Sequence, residues 1–271
     1  MVLSALQAKI MRTLAPNRSE TSYFAGGVVL NRDWSRRSED IDVFHDTDEA
    51  VVDTADRDVE TLRDAGFRVT TDIKIYGLVE ATVSADGQST LIQWMSETRW
   101  RYFPLVRDQA WGARLHQADL AVNKVLAAST RTKARDFVDL AAIAEQMCPL
   151  GPLVMAAAGK PPNLSPQTIV DEIRRRGLSV ADEEFIGVAG MPETWTPAHI
   201  REVLVSALDR ADRYMTTADP EVIGRLAVNA DETPIEVLEG QLNDTIVVRA
   251  PTREPEEVPV PGSSLFGGGP P

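Results

Sequence analysis

Two aspartates in the first fifth of the chain have the type and spacing needed to hold a divalent cation. Asp40 and Asp42 flank Ile41 in a run that predicts a buried β-strand. Residues i and i+2 of a strand project from the same face, with Cα atoms about 7 Å apart. Two ionised carboxylates that converge there repel each other unless a cation lies between them. Mg²⁺ suits the position, because it takes oxygen ligands and often combines one or two carboxylates with substrate phosphates.

A glycine turn upstream of the aspartates could receive phosphate groups. Gly26 and Gly27 follow the apolar run from Tyr23 to Ala25, and twelve residues separate Gly27 from Asp40. Backbone N–H groups are approachable at such a turn, and a helix starting after it would offer its positive dipole end to phosphate. Gly-Gly alone marks many ordinary turns, and Asp-x-Asp alone often marks a solvated strand end. Together they predict metal-assisted phosphoryl transfer, in which one element holds the triphosphate and the other holds metal against it.

A second group of charged residues lies on two predicted helices further along the chain. Lys124 is in the middle of a mostly apolar helix, and Asp136 and Asp139 lie one turn apart on the next helix. A helix hairpin would bring Lys124 near Asp136. One interpretation is a structural ion pair, because a partly buried lysine is costly unless it is paired. The other is functional: Lys124 contacts nucleotide phosphates while Asp136 orients it or the acceptor.

Both segments resemble the AbiEii/AbiGii-type nucleotidyltransferase toxin family, a branch of the DNA polymerase β-like nucleotidyltransferase superfamily. The first family motif, a Gly-Gly turn and an Arg-x-Ser-x-Asp-(Ile/Leu)-Asp strand, is matched by Gly26, Gly27, Arg36 or Arg37, Ser38, Asp40, Ile41 and Asp42. Arg37 directly precedes Ser38, so Arg36, with one residue between it and the serine, holds the position of the motif arginine. The later motif is matched by Lys124, Arg131, Arg135, Asp136, Asp139 and Leu140. The match covers Tyr23 to Ala144, less than half of the chain.

The resemblance implies a function and a set of site residues. The metal ligands would be Asp40 and Asp42, and the catalytic residues would be Asp40, Asp42, Lys124 and Asp136. The nucleotide would be held by Gly26, Gly27, Arg36, Arg37, Ser38 and Lys124. The implied enzyme is a Mg²⁺-dependent nucleotidyltransferase that moves a nucleoside monophosphate from an NTP to an acceptor. The tRNA 3′ end or a protein are the implied acceptors, and a toxin role with an antitoxin partner is implied as well.

The sequence departs from the superfamily pattern at two positions. Val28 stands after the glycines where the superfamily often has Ser or Thr, which removes a hydroxyl that could bond a phosphate. Gln93 stands where a third carboxylate is usual on a neighbouring strand, and Glu80 or Glu97 could substitute for it. These departures keep an alternative open: a degenerate, non-catalytic member of the fold that binds a nucleotide or a protein partner.

The elements that must position these residues predict an α+β fold. An N-terminal nucleotidyltransferase α/β domain with a mixed sheet is expected over residues 1–108, and a mainly helical C-terminal domain over 109–249. Three extended stretches near Phe67–Ile75, Leu78–Ser84 and Thr90–Met95 predict antiparallel pairing, with a turn at Asp86-Gly87. Residues 250–271 are rich in Pro, Gly and Glu and predict a disordered tail.

The overall composition limits where such a protein works. Of its 271 residues 43% are hydrophobic and 25% are charged, which is typical of globular domains. The net charge of −13 argues against broad, non-specific binding to nucleic acid. No apolar run approaches the length of a membrane span, and the single cysteine, Cys148, excludes an internal disulfide. We therefore expect a cytoplasmic protein that does not associate with membranes.

Overall fold

The computed structural model describes residues 3–32, 34, 36–97 and 99–254. The helices described are α1 (Ala5–Leu14), α2 (Gly26–Leu30), α3 (Glu49–Asp64), α4 (Gln117–Thr130), α5 (Ala134–Gln146), α6 (Leu150–Ala157), α7 (Pro166–Ser179), α8 (Asp182–Ile186) and α9 (Pro197–Met215). The strands are β1 (Ser22–Ala25), β2 (Asp40–His45), β3 (Arg68–Ile75), β4 (Leu78–Ala85), β5 (Gln88–Ser96), β6 (Val106–Asp108), β7 (Gly112–Arg114), β8 (Leu226–Val228) and β9 (Val247–Arg249). The predicted α+β class is confirmed.

The chain divides into two compact units, each made of separate stretches of sequence. The first unit comprises Met1–Arg99, Leu105–Leu120 and Asp182–Pro197. The second comprises Trp100–Pro104, Ala121–Ala181 and Ala198–Pro271. The predicted domains, 1–108 and 109–249, divide the chain at a single point. In the structure, residues 182–197 belong to the first unit although they lie within the second predicted domain. The domain limits 1–108 and 109–249 therefore remain a prediction.

A seven-stranded mixed sheet is the centre of the first unit, with strand order β3-β4-β5-β2-β1-β7-β6. β2 runs parallel to β5 and β1 runs parallel to β7, while the other neighbours are antiparallel. The predicted antiparallel meander is β3-β4-β5. Its second turn places Asp86 at φ 52° and Gly87 at φ 77°, the left-handed conformation that an Asp-Gly hairpin turn requires.

One face of this sheet forms the core of the first unit. Ile41, Val43 and Trp94 are fully buried on that face, which packs against α1 and α3. The Trp94 indole N–H donates to Asp58 Oδ2 of α3 at 2.7 Å, and Asp58 forms a buried ion pair with Arg18. These two contacts pair the indole N–H and both charges inside the core and join α3 to the sheet.

The second unit is mainly helical and contains one small hairpin. Its helices enclose an apolar cluster that includes Met155, Tyr214 and Val237. β8 and β9 pair antiparallel. Thr252 still pairs with Arg101 through backbone hydrogen bonds of 2.9 and 3.0 Å, inside the predicted tail 250–271. The remainder of that tail, from residue 255, lies outside the described residues.

None of the described helices combines the length and the apolar character that a bilayer crossing requires. The thiol of Cys148 is buried, and this burial raises its pKa to about 12. The thiol is therefore protonated at neutral pH and is not a nucleophile.

Candidate active site

The glycine turn lies directly against the carboxylate of Asp42. β1 pairs antiparallel with β2, so that Ala25 is opposite Asp42, and the chain turns into α2 at Gly26. Gly26 has φ +66°, and a Cβ atom at this position would overlap Asp42 Oδ2. Glycine is required here both by the backbone conformation and by the close approach of the side chain opposite. The predicted helical turn after the glycines exists, and it already begins at Gly26.

The second glycine is packed against the loop that leads to β2. A Cβ at Gly27 would lie 2.5 Å from Arg36 Nη2 and 3.0 Å from Ser38 Oγ. Arg36 is buried, with 2% of its surface exposed, and its Nη1 donates to the Arg37 carbonyl at 2.9 Å. The side chain of Arg37 is exposed, while its backbone N–H donates to the carbonyl of Ala189 at 2.9 Å. Arg36 and Ser38 are therefore next to the turn.

Asp40 and Asp42 project from the same face of β2. The register of β2 with β5 runs without a shift from Asp40 to His45, so side chains alternate strictly along the strand. Ser38 Oγ donates to Asp40 Oδ1 at 3.0 Å. Asp40 is 8% exposed and Asp42 is half-buried. The structure thus brings both carboxylates to one side of the strand, with Gly26 beside the second of them.

The donor set of this corner fits a divalent cation that also binds substrate oxygens. Two carboxylates on one strand face are the usual protein contribution to a Mg²⁺ site that is completed by phosphates and water. Among the described residues, no group of three or more His, Cys, Asp or Glu side chains could hold a metal ion. The protein would therefore supply Asp40 and Asp42, and the nucleotide would supply further ligands.

A row of polar side chains continues from Asp42 across the sheet. Gln93 of β5 is opposite Asp42 in the parallel register, and Glu80 of β4 is opposite Gln93 in the antiparallel register. Residues paired in this way share a face, and all three are half-buried. The Gln93 amide donates to Glu80 Oε1. Gln93 therefore occupies the place next to Asp42 that the sequence comparison assigned to a third carboxylate.

Lys124 and Asp136 are residues of the second unit, where they form a compact ion-pair cluster. Lys124 Nζ lies 2.8 Å from Asp136 Oδ1 and 2.9 Å from Asp139 Oδ2. Arg131 Nε lies 2.7 Å from Asp136 Oδ2. The side chains of both aspartates are fully buried, whereas that of Lys124 is 11% exposed. The sequence placed Lys124 near Asp136, with an ion pair as one interpretation, but it did not predict the contact of Lys124 with Asp139, which the spacing of one helical turn could have indicated.

This cluster shifts the titration of Asp136. Burial alone would raise the pKa of its carboxyl group, but the charges of Lys124 and Arg131 and their hydrogen bonds outweigh burial. The pKa of Asp136 is lowered from 3.8 to about 2 as a result. The cluster therefore holds Asp136 ionised at any physiological pH, as a structural ion pair between α4 and α5 requires.

His45, the last residue of β2, faces away from the two aspartates of that strand. It is fully buried, and the alternation along β2 places it on the face opposite to Asp40 and Asp42. Desolvation by burial and the nearby charge of Arg18 lower its pKa from 6.5 to about 4. His45 is therefore a neutral core residue and does not act together with the two carboxylates.

No protein-family model and no curated protein sequence matches this chain. Among solved structures, the MenT4 nucleotidyltransferase toxin from Mycobacterium tuberculosis superposes with a TM-score of 0.52 at 16% identity, over 77% of this chain and 84% of that one. A candidate nucleotidyltransferase from Helicobacter pylori gives a TM-score of 0.48 at 15% identity, over 78% and 98%. JHP933 from the same organism gives 0.47 at 14%, over 79% and 97%. The MenT4 superposition shows that this chain has the nucleotidyltransferase fold.

Proposed function

We propose that the protein is a Mg²⁺-dependent nucleotidyltransferase that transfers a nucleoside monophosphate from an NTP to an acceptor hydroxyl. The observation that carries the proposal is the corner formed by Asp40, Asp42 and Gly26. Two carboxylates on one strand face meet a glycine turn, and Gly26 of that turn lies directly against Asp42. This arrangement suits a triphosphate bound through a divalent ion, on a fold that other nucleotidyltransferases share.

Each residue of the corner has a distinct part in the proposed reaction. Mg²⁺, when bound by Asp40 and Asp42, would offset the charge of the triphosphate. Ser38 orients Asp40 through its hydrogen bond of 3.0 Å. Gly26 and Gly27 let the turn approach Asp42, Arg36 and Ser38 closely, and the backbone N–H groups of such a turn are suited to binding phosphate oxygens. The acceptor oxygen forms a bond to the α-phosphorus as the bond from that phosphorus to the bridging oxygen breaks, and pyrophosphate leaves.

Lys124 and Asp136 enter the proposal through the family resemblance. Lys124 would contact nucleotide phosphates and Asp136 would orient it, in addition to their ion pair of 2.8 Å. The variant Lys124→Met separates the two roles when nucleotide affinity and thermal stability are measured together. Weakened nucleotide binding with an unchanged melting temperature supports the nucleotide role, whereas a lowered melting temperature with unchanged binding supports a purely structural one.

Nucleotide incorporation tests the proposal. The purified protein is incubated with each radiolabelled NTP, Mg²⁺ and total cellular RNA and protein, and the pools are then separated. We expect one pool to carry label, and Asp42→Asn to lower the incorporation about 1,000-fold or more, because it removes a ligand charge from the reacting centre. Asp53→Asn, an exposed carboxylate on α3, is the matched control and should leave incorporation unchanged. Equal incorporation by Asp42→Asn and the parent would contradict the assignment.

The same experiment addresses the acceptor and the biological role. From the family resemblance we propose an RNA hydroxyl, such as the tRNA 3′ end, as the acceptor, and label in the protein pool would replace it by a protein. MenT4, with which the chain shares its fold, is a nucleotidyltransferase toxin. We extend the proposal to a toxin that is neutralised by an antitoxin. Induced expression should then arrest growth, and expression of Asp42→Asn should not.

One observation favours a second candidate function. Gln93, a neutral residue, is opposite Asp42 where the superfamily usually has a carboxylate. A degenerate member of the fold would bind a nucleotide without transferring it. Calorimetric titration with each NTP, with and without Mg²⁺, distinguishes the two: binding without turnover on any acceptor pool favours this candidate.

A further inference from the structure

The row of polar side chains that begins at Asp42 of the proposed metal site also contains Glu80, a carboxylate that the family motif does not include. Asp42, Gln93 and Glu80 are in register on three adjacent strands, β2, β5 and β4. Neighbouring strands are about 4.8 Å apart, so the Cα atoms of Asp42 and Glu80 are separated by about 10 Å. Gln93 lies between them, so that the two carboxylates are on the same face of the sheet, one on each side of its amide.

Gln93 cannot take a proton from an acceptor hydroxyl, because its amide is neutral and does not titrate. Its side-chain amide N–H instead donates a hydrogen bond to Glu80 Oε1. That hydrogen bond directs the Glu80 carboxylate toward the side of the row where Asp42 lies. The charge that is absent from β5 is therefore provided from β4, one strand further out.

The residues paired with Glu80 in the sheet are both uncharged. Ile73 of β3 is opposite Glu80 on one side and Gln93 on the other, so neither directly paired residue carries a charge. The next charge along the row is that of Asp42. Glu97, the other substitute suggested by the sequence, follows the end of β5 and donates its backbone N–H to the His45 carbonyl at 2.9 Å, outside the row.

We propose that Glu80 is the general base for the acceptor hydroxyl and that Gln93 is its positioning residue. This inference rests on the proposed nucleotidyl transfer. As the acceptor oxygen forms its bond to the α-phosphorus, its proton passes to the Glu80 carboxylate, and the electron pair of the breaking bond leaves with pyrophosphate. Gln93 keeps Glu80 in place through its amide. A carboxylate beyond the family motif thus completes the proton transfer that the reaction requires.

The experiment compares single-turnover transfer by the full chain and by two variants, using the NTP and the acceptor pool that the parent labels. Glu80→Gln should lower the transfer rate about 100-fold or more, within the range that general base catalysis contributes. NTP affinity in the presence of Mg²⁺ and the melting temperature should match those of the parent. Asp72→Asn, an exposed carboxylate on β3 that accepts from Thr82, is the control and should retain parental rates.

A double variant that exchanges the two residues distinguishes loss of the general base from loss of structure. Glu80→Gln combined with Gln93→Glu keeps an amide–carboxylate hydrogen bond but moves the carboxylate to β5. Transfer should recover at least 10-fold relative to Glu80→Gln alone. A Glu80→Gln variant within threefold of the parent, or a folded swap without recovery, would overturn this inference while leaving the transferase assignment intact. A parent that transfers no nucleotide would instead contradict the proposed function, and this inference would fall with it.

Discussion

The chain contains two pairs of aspartates that look similar in sequence and lie in opposite electrostatic settings. Asp40 and Asp42 occupy alternate positions of β2, with a serine hydroxyl on the first and a glycine turn against the second. Asp136 and Asp139 occupy successive turns of α5 and both contact the ammonium group of Lys124. The first pair lies beside a glycine turn and a serine hydroxyl, whereas both carboxylates of the second pair contact the ammonium group of a lysine of the protein.

The difference shows what the two settings can do. A pair of carboxylates beside a glycine turn can bind an external cation together with the substrate that the cation holds. A pair that holds a lysine ammonium in the protein interior joins two helices, and removing one partner leaves an uncompensated buried charge. We therefore expect substitutions in the first pair to affect chemistry and substitutions in the second to affect stability first.

The largest stability effect should come from the second pair. Asp136→Asn removes the carboxylate that contacts both Lys124 and Arg131, so the free energy of unfolding should fall by about 3–5 kcal/mol. Urea denaturation measures this change. Asp42→Asn serves as the comparison and should stay within about 1 kcal/mol of the parent. If the two variants lose equal stability, the distinction between the two pairs is wrong.

A backbone substitution sharpens the comparison at the glycine turn. Gly26→Ala places a Cβ into the space of Asp42 Oδ2, and the displaced carboxylate should lower nucleotide incorporation about 100-fold. Gly66→Ala is the matched control, because Gly66 also has positive φ, +87°, but a Cβ there meets no atom within 4 Å. It should cost about 1 kcal/mol of stability and leave incorporation unchanged. Similar incorporation by the two variants would show that the contact with Asp42 has no role.

Acid pH should affect the second pair in a defined window. The pKa of Asp136 is about 2 in the folded protein against 3.8 as its ordinary value, so its ionised form stabilises the fold above pH 3.8. This contribution, about 2 kcal/mol, is lost as the pH falls from 3.8 toward 2. The unfolding free energy of the parent, followed over this range by urea titration, should decrease more steeply than that of Asp136→Asn. Parallel curves would contradict the shift.

The local parts of this account could be predicted from the sequence. The spacing of Asp40 and Asp42 fixes their common face once β2 is a strand, and the glycine turn is a property of Gly26 and its neighbours. The β3-β4-β5 meander followed from alternating residues and the Asp86-Gly87 turn. These features depend on interactions between residues that are close in sequence, where periodicity and turn chemistry carry the information.

The non-local parts could not be predicted in the same way. Residues 182–197 belong to the first unit, where Ala189 accepts a hydrogen bond from Arg37 and the rings of Trp34 and Trp195 lie 4.9 Å apart. No periodicity links these positions, because the contacts join stretches about 150 residues apart. The contact of Glu80 with Gln93 was missed for a related reason: it depends on the register of two paired strands, and that register is set by packing.

Metal-dependent nucleotide binding tests the central claim most directly. Calorimetric titration of an NTP into the parent and into Asp42→Asn, each with Mg²⁺ and with EDTA, measures whether the carboxylate pair holds a nucleotide through a cation. We predict that the parent binds the NTP at least 10-fold more tightly with Mg²⁺ than with EDTA, and that Asp42→Asn loses this difference. Equal Mg²⁺-dependent affinity in the two proteins would contradict the assignment of Asp40 and Asp42 as the metal site.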